Sequence, residues 1–322
     1  MKQLFKIVCN GRDITSELKE RLSALTLVDQ AGAEADRLSL TITDIKGKVT
    51  LPVVGAELRV ELGYKETGLV SLGTFIIDNV RLYGPPDKMT VNASSANLTA
   101  SLKEQKSRSF DKKTLEQLVK IIALENGLEP KVDKTLGSSF YEHVDQTEES
   151  DLNFLKRLAD RLNAVVKVVE GNLVITSKGN GRNISDIKMP EVVITKGGCS
   201  FYNMDMSERN LYKSVRAGYR SLDQNETVFK VAGDGVPVFT IRELFADGVK
   251  AEAAAMGLLE RFTRSSDVLQ LKIPGNPGVR AESNLRLSGF RDGIDGSWVV
   301  SKAVHAFNPI FTTTIEATKN GK

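Results

Sequence analysis

The sequence predicts a mainly β protein in which two similar small antiparallel β-barrels flank an α+β insert with amphipathic helices. Three observations predict it: a doubled strand unit, evenly spaced alternating runs in the first hundred residues, and a change to helical periodicity after Phe110. The doubled unit reads Leu58-Arg59-Val60-Glu61-Leu62-Gly63-Tyr64, a polar turn, then Gly73-Thr74-Phe75-Ile76-Ile77. Its echo is Leu285-Arg286-Leu287-Ser288-Gly289-Phe290, a polar turn, then Gly296-Ser297-Trp298-Val299-Val300. Each copy is followed by a proline break, Pro85-Pro86 or Pro309, and by a threonine-bearing apolar strand, Met89 to Ala93 or Phe311 to Ala317. The same residue types in the same order indicate one meander used twice rather than two meanders alike by composition.

Residues 3 to 8, Ser23 to Val28, Arg37 to Thr43, Leu58 to Gly63, Leu69 to Leu82 and Met89 to Ala93 give about six strands, the density of a sandwich or barrel. Asn10-Gly11 and Asp44-Ile45-Lys46-Gly47 supply turns between them. Closure of such strands into a barrel would remove sheet edges that invite aggregation.

After Phe110 the period changes. Thr114-Leu115-Glu116-Gln117 is a capping box opening a helix with Leu115, Leu118, Val119 and Ile122 on one face, and Gly127 stops it. A second helix is predicted from about Ser150 to Asn163. It turns Leu152, Leu155, Leu158, Ala159 and Leu162 inward, each leucine contributing about 1.5–3 kcal/mol if fully buried. Val165 to Val169 and Leu173 to Thr176 read as a hairpin across Glu170-Gly171-Asn172. Gly179-Asn180-Gly181-Arg182-Asn183 is a polar linker. Beyond it Glu191 to Thr195, Cys199 to Met206, Lys213 to Tyr219 and Asp267 to Ile273 are strand candidates, and the alanine-rich stretch Ala246 to Thr263 is a helix. Pro274-Gly275-Asn276-Pro277-Gly278 is irregular and introduces the second copy. The expected domains are 1–110 for the first barrel, 111–180 for the insert, and 181–322 for the second barrel with a helical insertion around 246–264.

Bulk properties narrow the function. The 322 residues carry 44 basic and 41 acidic side chains, a net charge of +3 that gives no global field for nucleic acid or membrane. No apolar run approaches the roughly 20 residues of a membrane helix, and Met1 to Val8 does not read as a signal peptide. Two cysteines, Cys9 and Cys199, far apart in sequence, read as reduced thiols rather than a disulfide.

The sequence offers no catalytic residue, no cofactor-binding residue and no metal ligand set. His143 and His305 are the only histidines and neither has a partner at ligand spacing. No phosphate loop, dinucleotide fingerprint, nucleophile elbow or zinc-protease motif occurs. Cys9 with His305 could form a thiol–imidazole pair, but a lone cysteine in a strand is more often a small buried residue. Asp145, Glu148, Glu149 and Asp151 could form a carboxylate pair for hydrolysis or a calcium site, but their spacing favours negative charge at a helix N-terminus. Lys103, Lys106, Arg108, Lys112 and Lys113 form a basic run without interleaved aromatics, which favours a solvated face or protein interface over phosphate contact. Trp298, standing where the first copy has Phe75, is expected in the core.

Thr114-Leu115-Glu116-Gln117-Leu118-Val119, Gly127-Leu128-Glu129-Pro130 and above all Asp145-Gln146-Thr147-Glu148-Glu149-Ser150-Asp151-Leu152-Asn153-Phe154-Leu155-Lys156-Arg157-Leu158-Ala159 resemble the phage late control gene D protein family. These are baseplate hubs of contractile tails, related to the hub portion of VgrG in type VI secretion. Pro274 to Pro277, Leu287 to Val300, His305 and Thr312 to Glu316 extend the resemblance over essentially the whole chain, while Asn308-Pro309-Ile310-Phe311 departs from the glycine frequent before the last strand. No lysozyme, peptidoglycan-binding or spike-like extension follows.

The resemblance implies a non-enzymatic homotrimer whose six barrels give pseudo-sixfold symmetry, joining a hexameric tail tube protein to a trimeric tail spike protein. Contacts to the tape measure protein and other baseplate proteins are compatible with that role. It further implies synthesis in the bacterial host cytoplasm and assembly into a phage tail or tailocin baseplate, without nucleic acid recognition or stable membrane insertion. A tailocin or type VI-like injection hub is the alternative in the same architecture. A tail-tip cell-wall hydrolase and a barrel that binds single-stranded nucleic acid or glycan are rivals of other classes, and neither accounts for the duplication.

Overall fold

The structure is a computed structural model that describes residues 1–32, 35–95, 100–169, 171–177, 191–206, 212–221 and 225–319. The chain is mostly β and gathers into two compact units. The first comprises Met1–Ala100, Gly181–Asn203 and Gln270–Ala317, and the second Ser101–Asn180, Met204–Leu269 and Thr318–Lys322. The α+β portion expected at 111–180 thus begins earlier and is joined by a second segment that carries the predicted helix near 246–264. The linker expected at Gly179 to Asn183 and the turn residue Glu170 lie outside the described residues.

In chain order the first unit opens with β1 (Gln3–Cys9), β2 (Arg12–Asp13), α1 (Thr15–Leu18), β3 (Leu22–Gln30), β4 (Arg37–Thr43), β5 (Glu57–Tyr64), β6 (Gly68–Tyr83) and β7 (Lys88–Ser95). The second unit follows with α2 (Ala100–Lys103), β8 (Gln105–Thr114), α3 (Leu115–Glu125), β9 (Glu129–Val132), α4 (Lys134–Gly137), β10 (Phe140–Ser150), α5 (Asp151–Arg161), β11 (Ala164–Val169) and β12 (Asn172–Ser177). Then come β13 (Val192–Thr195) and β14 (Phe201–Met206), followed by β15 (Ser214–Ser221), β16 (Glu226–Gly233), β17 (Val238–Phe245) and α6 (Gly248–Ser266). The chain ends with β18 (Asp267–Pro274), β19 (Asn284–Ser288), β20 (Gly296–Phe307) and β21 (Phe311–Lys319).

The main sheet runs β14-β18-β21-β20-β3-β4-β7-β6-β5-β1-β2, with β19 against β20 and β13 against β19. It contains two strand sets of the same order: β1-β5-β6-β7-β4-β3 and β13-β19-β20-β21-β18-β14. In each set the members occur along the chain in the same succession. The cross-strand pairs match as well. Leu58 faces Phe75, Arg59 faces Thr74 and Val60 faces Gly73 in the first set, while Leu285 faces Trp298, Arg286 faces Ser297 and Leu287 faces Gly296 in the second. Just before the meander, Gly55 N donates to Ile77 O and Ile77 N to Ala56 O. The second set repeats this pair with Glu282 N on Val300 O and Val300 N on Ser283 O. One difference stands out: β1 is antiparallel to β5, whereas β13 is parallel to β19.

The two sets meet where β3 pairs antiparallel with β20, from Leu25 opposite Phe307 to Gln30 opposite Lys302. The expected barrels therefore appear as two corresponding strand sets within one sheet, and the sheets are not closed into a single barrel. Period-two alternation explains the burial. Leu38, Leu40 and Ile42 of β4 and Leu58, Val60 and Leu62 of β5 point into one core that also takes in Ile7, Leu25, Leu27, Phe75, Ile77 and Phe311. Trp298 is fully buried, as expected, and its indole N–H donates to Ile294 O at 2.7 Å.

In the second unit α3 begins with the predicted capping box: Gln117 N donates to Thr114 Oγ1 at 3.3 Å, and Thr114 N donates to Gln117 Oε1 at 3.0 Å. Gly127, at φ +67, follows its end. Helix α5 is capped by Ser150 and buries Asp151, Phe154, Leu155, Leu158 and Ala159. Leu152 and Leu162 are only half-buried, because the inward stripe runs through Phe154 instead. Helix α6 packs on the sheet β16-β15-β17 through Ala251, Ala255, Val215, Ala217 and Ala232.

Candidate functional site

The segment with the most distinctive sequence, Asp145 to Ala159, folds as the end of β10 and all of α5. Strand β8 pairs antiparallel with β10, and its register shifts between Gln146 and Glu149, where Glu148 adopts φ +47. The bulge lets Ser150 turn and cap α5 through its hydroxyl on Asn153 N, so that Asp151 enters the first helical turn facing inward.

Asp151 is fully buried and saturated. Lys106 Nζ lies 2.7 Å from one carboxylate oxygen and Arg108 lies 2.8 Å from the other. Gln146 Nε2 donates at 2.9 Å and Asn126 Nδ2 at 3.2 Å. Glu125, at the end of α3, takes Arg108 at 2.7 Å and thereby ties that helix to β8 and α5. Burial pushes the Asp151 carboxyl upward, but the bonds from Lys106, Gln146 and Asn126 and the charge of Arg108 outweigh it, so the pKa falls below the ordinary value. The bond to Asp151 correspondingly raises the Lys106 ammonium pKa. This cluster is a structural lock, since both oxygens already carry donors.

Two more members of the acidic cluster, Glu149 and Asp145, are engaged too. Glu149 pairs with Arg157 at 2.8 Å, and that bond raises the arginine pKa. Asp145 accepts from Ser109 Oγ at 2.6 Å and lies 3.0 Å from His143 Nε2, while His143 Nδ1 lies 2.6 Å from Asp111. The exposed His143 sits between two carboxylates, and the bond to Asp111, then that to Asp145, raise its pKa. Asp151 does stand in the first turn of α5, as expected of negative charge at a helix N-terminus, but it is also buried in an ion network. Of the basic run expected on a solvated face or a protein interface, Lys106 and Arg108 are ion-pair partners within the chain. Alternation of Lys106, Arg108 and Phe110 was the available signal, and charge masked it as a strand.

The other singled-out residues are placed apart. His305 is buried, with Nδ1 3.1 Å from Thr313 Oγ1 and Nε2 3.0 Å from Val279 O, so its ring is committed to neighbours other than Cys9. Burial, followed by the charge of Arg280, lowers its pKa to about 4. Cys9 and Cys199 are free and half-buried, and burial pushes both thiols up. Among the described residues no group of His, Cys, Asp and Glu could hold a metal ion. No helix among them is long and apolar enough to cross a membrane.

A duplicated β-scaffold with an ion-locked α+β portion defines the architecture, and comparison with known proteins gives the family. A sequence model of the phage tail baseplate hub (GPD) family matches residues 37–309, and the chain belongs to that family. It is 30% identical to the probable baseplate hub protein of Escherichia phage P2, with 97% of this chain and 92% of the relative covered. In fold it is similar to the tail protein from Neisseria meningitidis MC58, at TM-score 0.74 and 13% identity, covering 100% and 98% of the two chains. The E. coli c3393 protein, a component of the type VI secretion system, is similar at TM-score 0.57 and 12% identity, covering 94% of this chain and 74% of that one.

Proposed function

We propose that this baseplate hub works as a non-enzymatic symmetry adaptor: a homotrimer with pseudo-sixfold symmetry that joins a hexameric tail tube to a trimeric central spike. The observation that carries this reading is the repeated strand order, β1-β5-β6-β7-β4-β3 and β13-β19-β20-β21-β18-β14. Three chains with two equivalent sets each present six similar faces, and a closed ring buries every lateral face. An obligate ring of this kind buries on the order of 2,000 Å² or more per contact.

The non-enzymatic reading is supported by the carboxylates of the acidic cluster, since Asp151, Glu149 and Asp145 are bound to structural partners. The protein is made in the bacterial host cytoplasm and incorporated in the virion baseplate, where the tape measure and other baseplate proteins are further neighbours. Likeness in fold to a type VI component supports the second setting, a tailocin or type VI-like injection machine. Mass photometry of the purified chain, alone and with its spike and tube proteins, tests the proposal. A species of three chains that co-purifies with both is expected, and a monomer under all conditions overturns it.

A further inference from the structure

The equivalence of the two strand sets is incomplete at one place. Strand β20 uses one edge twice: Gly296–Val299 pairs with β19, and Lys302–Phe307 pairs with β3. Strand β6, its counterpart, pairs with β5 along Gly68–Ile76 and with β7 along Phe75–Tyr83. Past the Ile77 bonds to Gly55 and Ala56, the edge of β6 on the β5 side has no strand partner among the described residues. This edge is the place where β3 sits on β20 in the second set.

The missing partner is identified by the same correspondence. Strand β14 occupies in the second set the place of β3 in the first, yet among the described residues β14 ends the sheet path with one neighbour, β18. The exposures agree. Leu82 and Tyr83 on β6 are 56% and 46% exposed, and Phe201 and Tyr202 on β14 are 51% and 40% exposed. Their counterparts on β20 and β3 are buried or half-buried. An unpaired, apolar strand edge is a template for another strand, and in a chain with an unfilled seat and an unseated strand the complementary occupant is a second copy.

We propose that β14 of one copy pairs with the Asn79–Tyr83 edge of β6 in a second copy, repeating between chains the β3–β20 junction that each chain makes within itself. The contact is head-to-tail, because it uses β14 on one side and β6 on the other. Leu25-Thr26-Leu27-Val28-Asp29 and Phe201-Tyr202-Asn203-Met204-Asp205 set the register. Leu27 faces His305, so Asn203 faces Leu82. The carboxylate of Asp29 accepts from Ala281 N at 3.2 Å, and Asp205 takes the same role toward Val54 of the next copy, which aligns with Ala281.

The inference rests on the trimer reading and is tested separately from it. In a Cys9→Ser, Cys199→Ser background, Leu82→Cys with Asn203→Cys is oxidised and run on a non-reducing gel, beside either cysteine alone. Neighbouring pairs, Tyr83→Cys with Tyr202→Cys and Arg81→Cys with Met204→Cys, guard against a shifted register. A ladder that ends at three covalently joined chains is expected from a double variant and no ladder from either single variant. A species of three chains by mass that gives no such ladder with any pair overturns the β14–β6 contact while leaving the trimer intact. A chain that stays monomeric overturns both.

Discussion

Phe75 and Trp298 hold the same rung of the two strand sets, each two residues past a glycine with positive φ, Gly73 at +119° and Gly296 at +126°. Both aromatic side chains are buried. A Cβ on Gly296 would meet nothing within 4 Å, and one on Gly73 only the Phe75 ring edge at 3.8 Å. The glycines are therefore required by backbone conformation rather than by space.

Gly73→Ala and Gly296→Ala are each expected to destabilise the fold by about 1–3 kcal/mol, the usual cost of holding a side chain in a sparsely populated backbone region. Gly197→Ala is the control, because Gly197 has open space and no positive φ. Urea unfolding of the three variants checks this, and equal midpoints for all three would contradict the account.

Asp151→Ala is expected to cost about 3–5 kcal/mol, because it leaves Lys106 and Arg108 facing a buried site without their counter-charge. Their side chains are 26% and 24% exposed, so water replaces the lost partner only in part. Chemical denaturation measures the loss. A change under about 1 kcal/mol would show that the network is solvated rather than a lock.

The pentads with Phe75 and Trp298, the meanders and the capping box at Thr114 were legible because each is a local pattern with its own chemistry. The lock at Asp151 was not. It is made by β8, whose Lys106 and Arg108 look solvated in sequence, and by a first-turn aspartate whose burial depends on a bulge at Glu148. Strands β16 and β17 also escaped notice. Phe229 and Val231 lie exposed while Ala232 is buried, so hydrophobicity does not alternate with the core. The parallel placement of β13 on β19 is a tertiary choice that no local pattern encodes.

His305 links stability to pH. Its folded pKa of about 4 lies below the unfolded value of about 6.5, so the folded state holds the ring neutral where the unfolded chain would protonate it. The stabilisation is therefore present above about pH 6.5 and is lost as pH falls toward about 4, with a full span of about 3 kcal/mol. Carboxylates titrate in the same window, so the readout is the difference between wild type and His305→Gln. The gap in unfolding free energy is expected to shrink from pH 7 to pH 4.5, and a constant gap would place the histidine outside the linkage.

Gly275 introduces the second meander, and its contact with Phe311 explains why a small residue is needed between Pro274 and Asn276. A Cβ there would lie 2.2 Å from the Phe311 ring, which is fully buried, while Gly275 N donates to Phe311 O at 2.9 Å. Tyr64 of the first strand set donates its hydroxyl to Gly275 O at 2.9 Å, so a shift of this backbone would also strain the seam between the sets. The ring cannot swing aside without opening the core, which makes overpacking by about 1–3 kcal/mol or more the expected cost of Gly275→Ala. Adding Phe311→Leu to Gly275→Ala removes part of the clash. The double variant is then expected to be less destabilised than the two single changes summed, a positive coupling that a thermodynamic cycle reads directly. Strict additivity would mean that the glycine is needed for its backbone alone and that the ring contact is incidental.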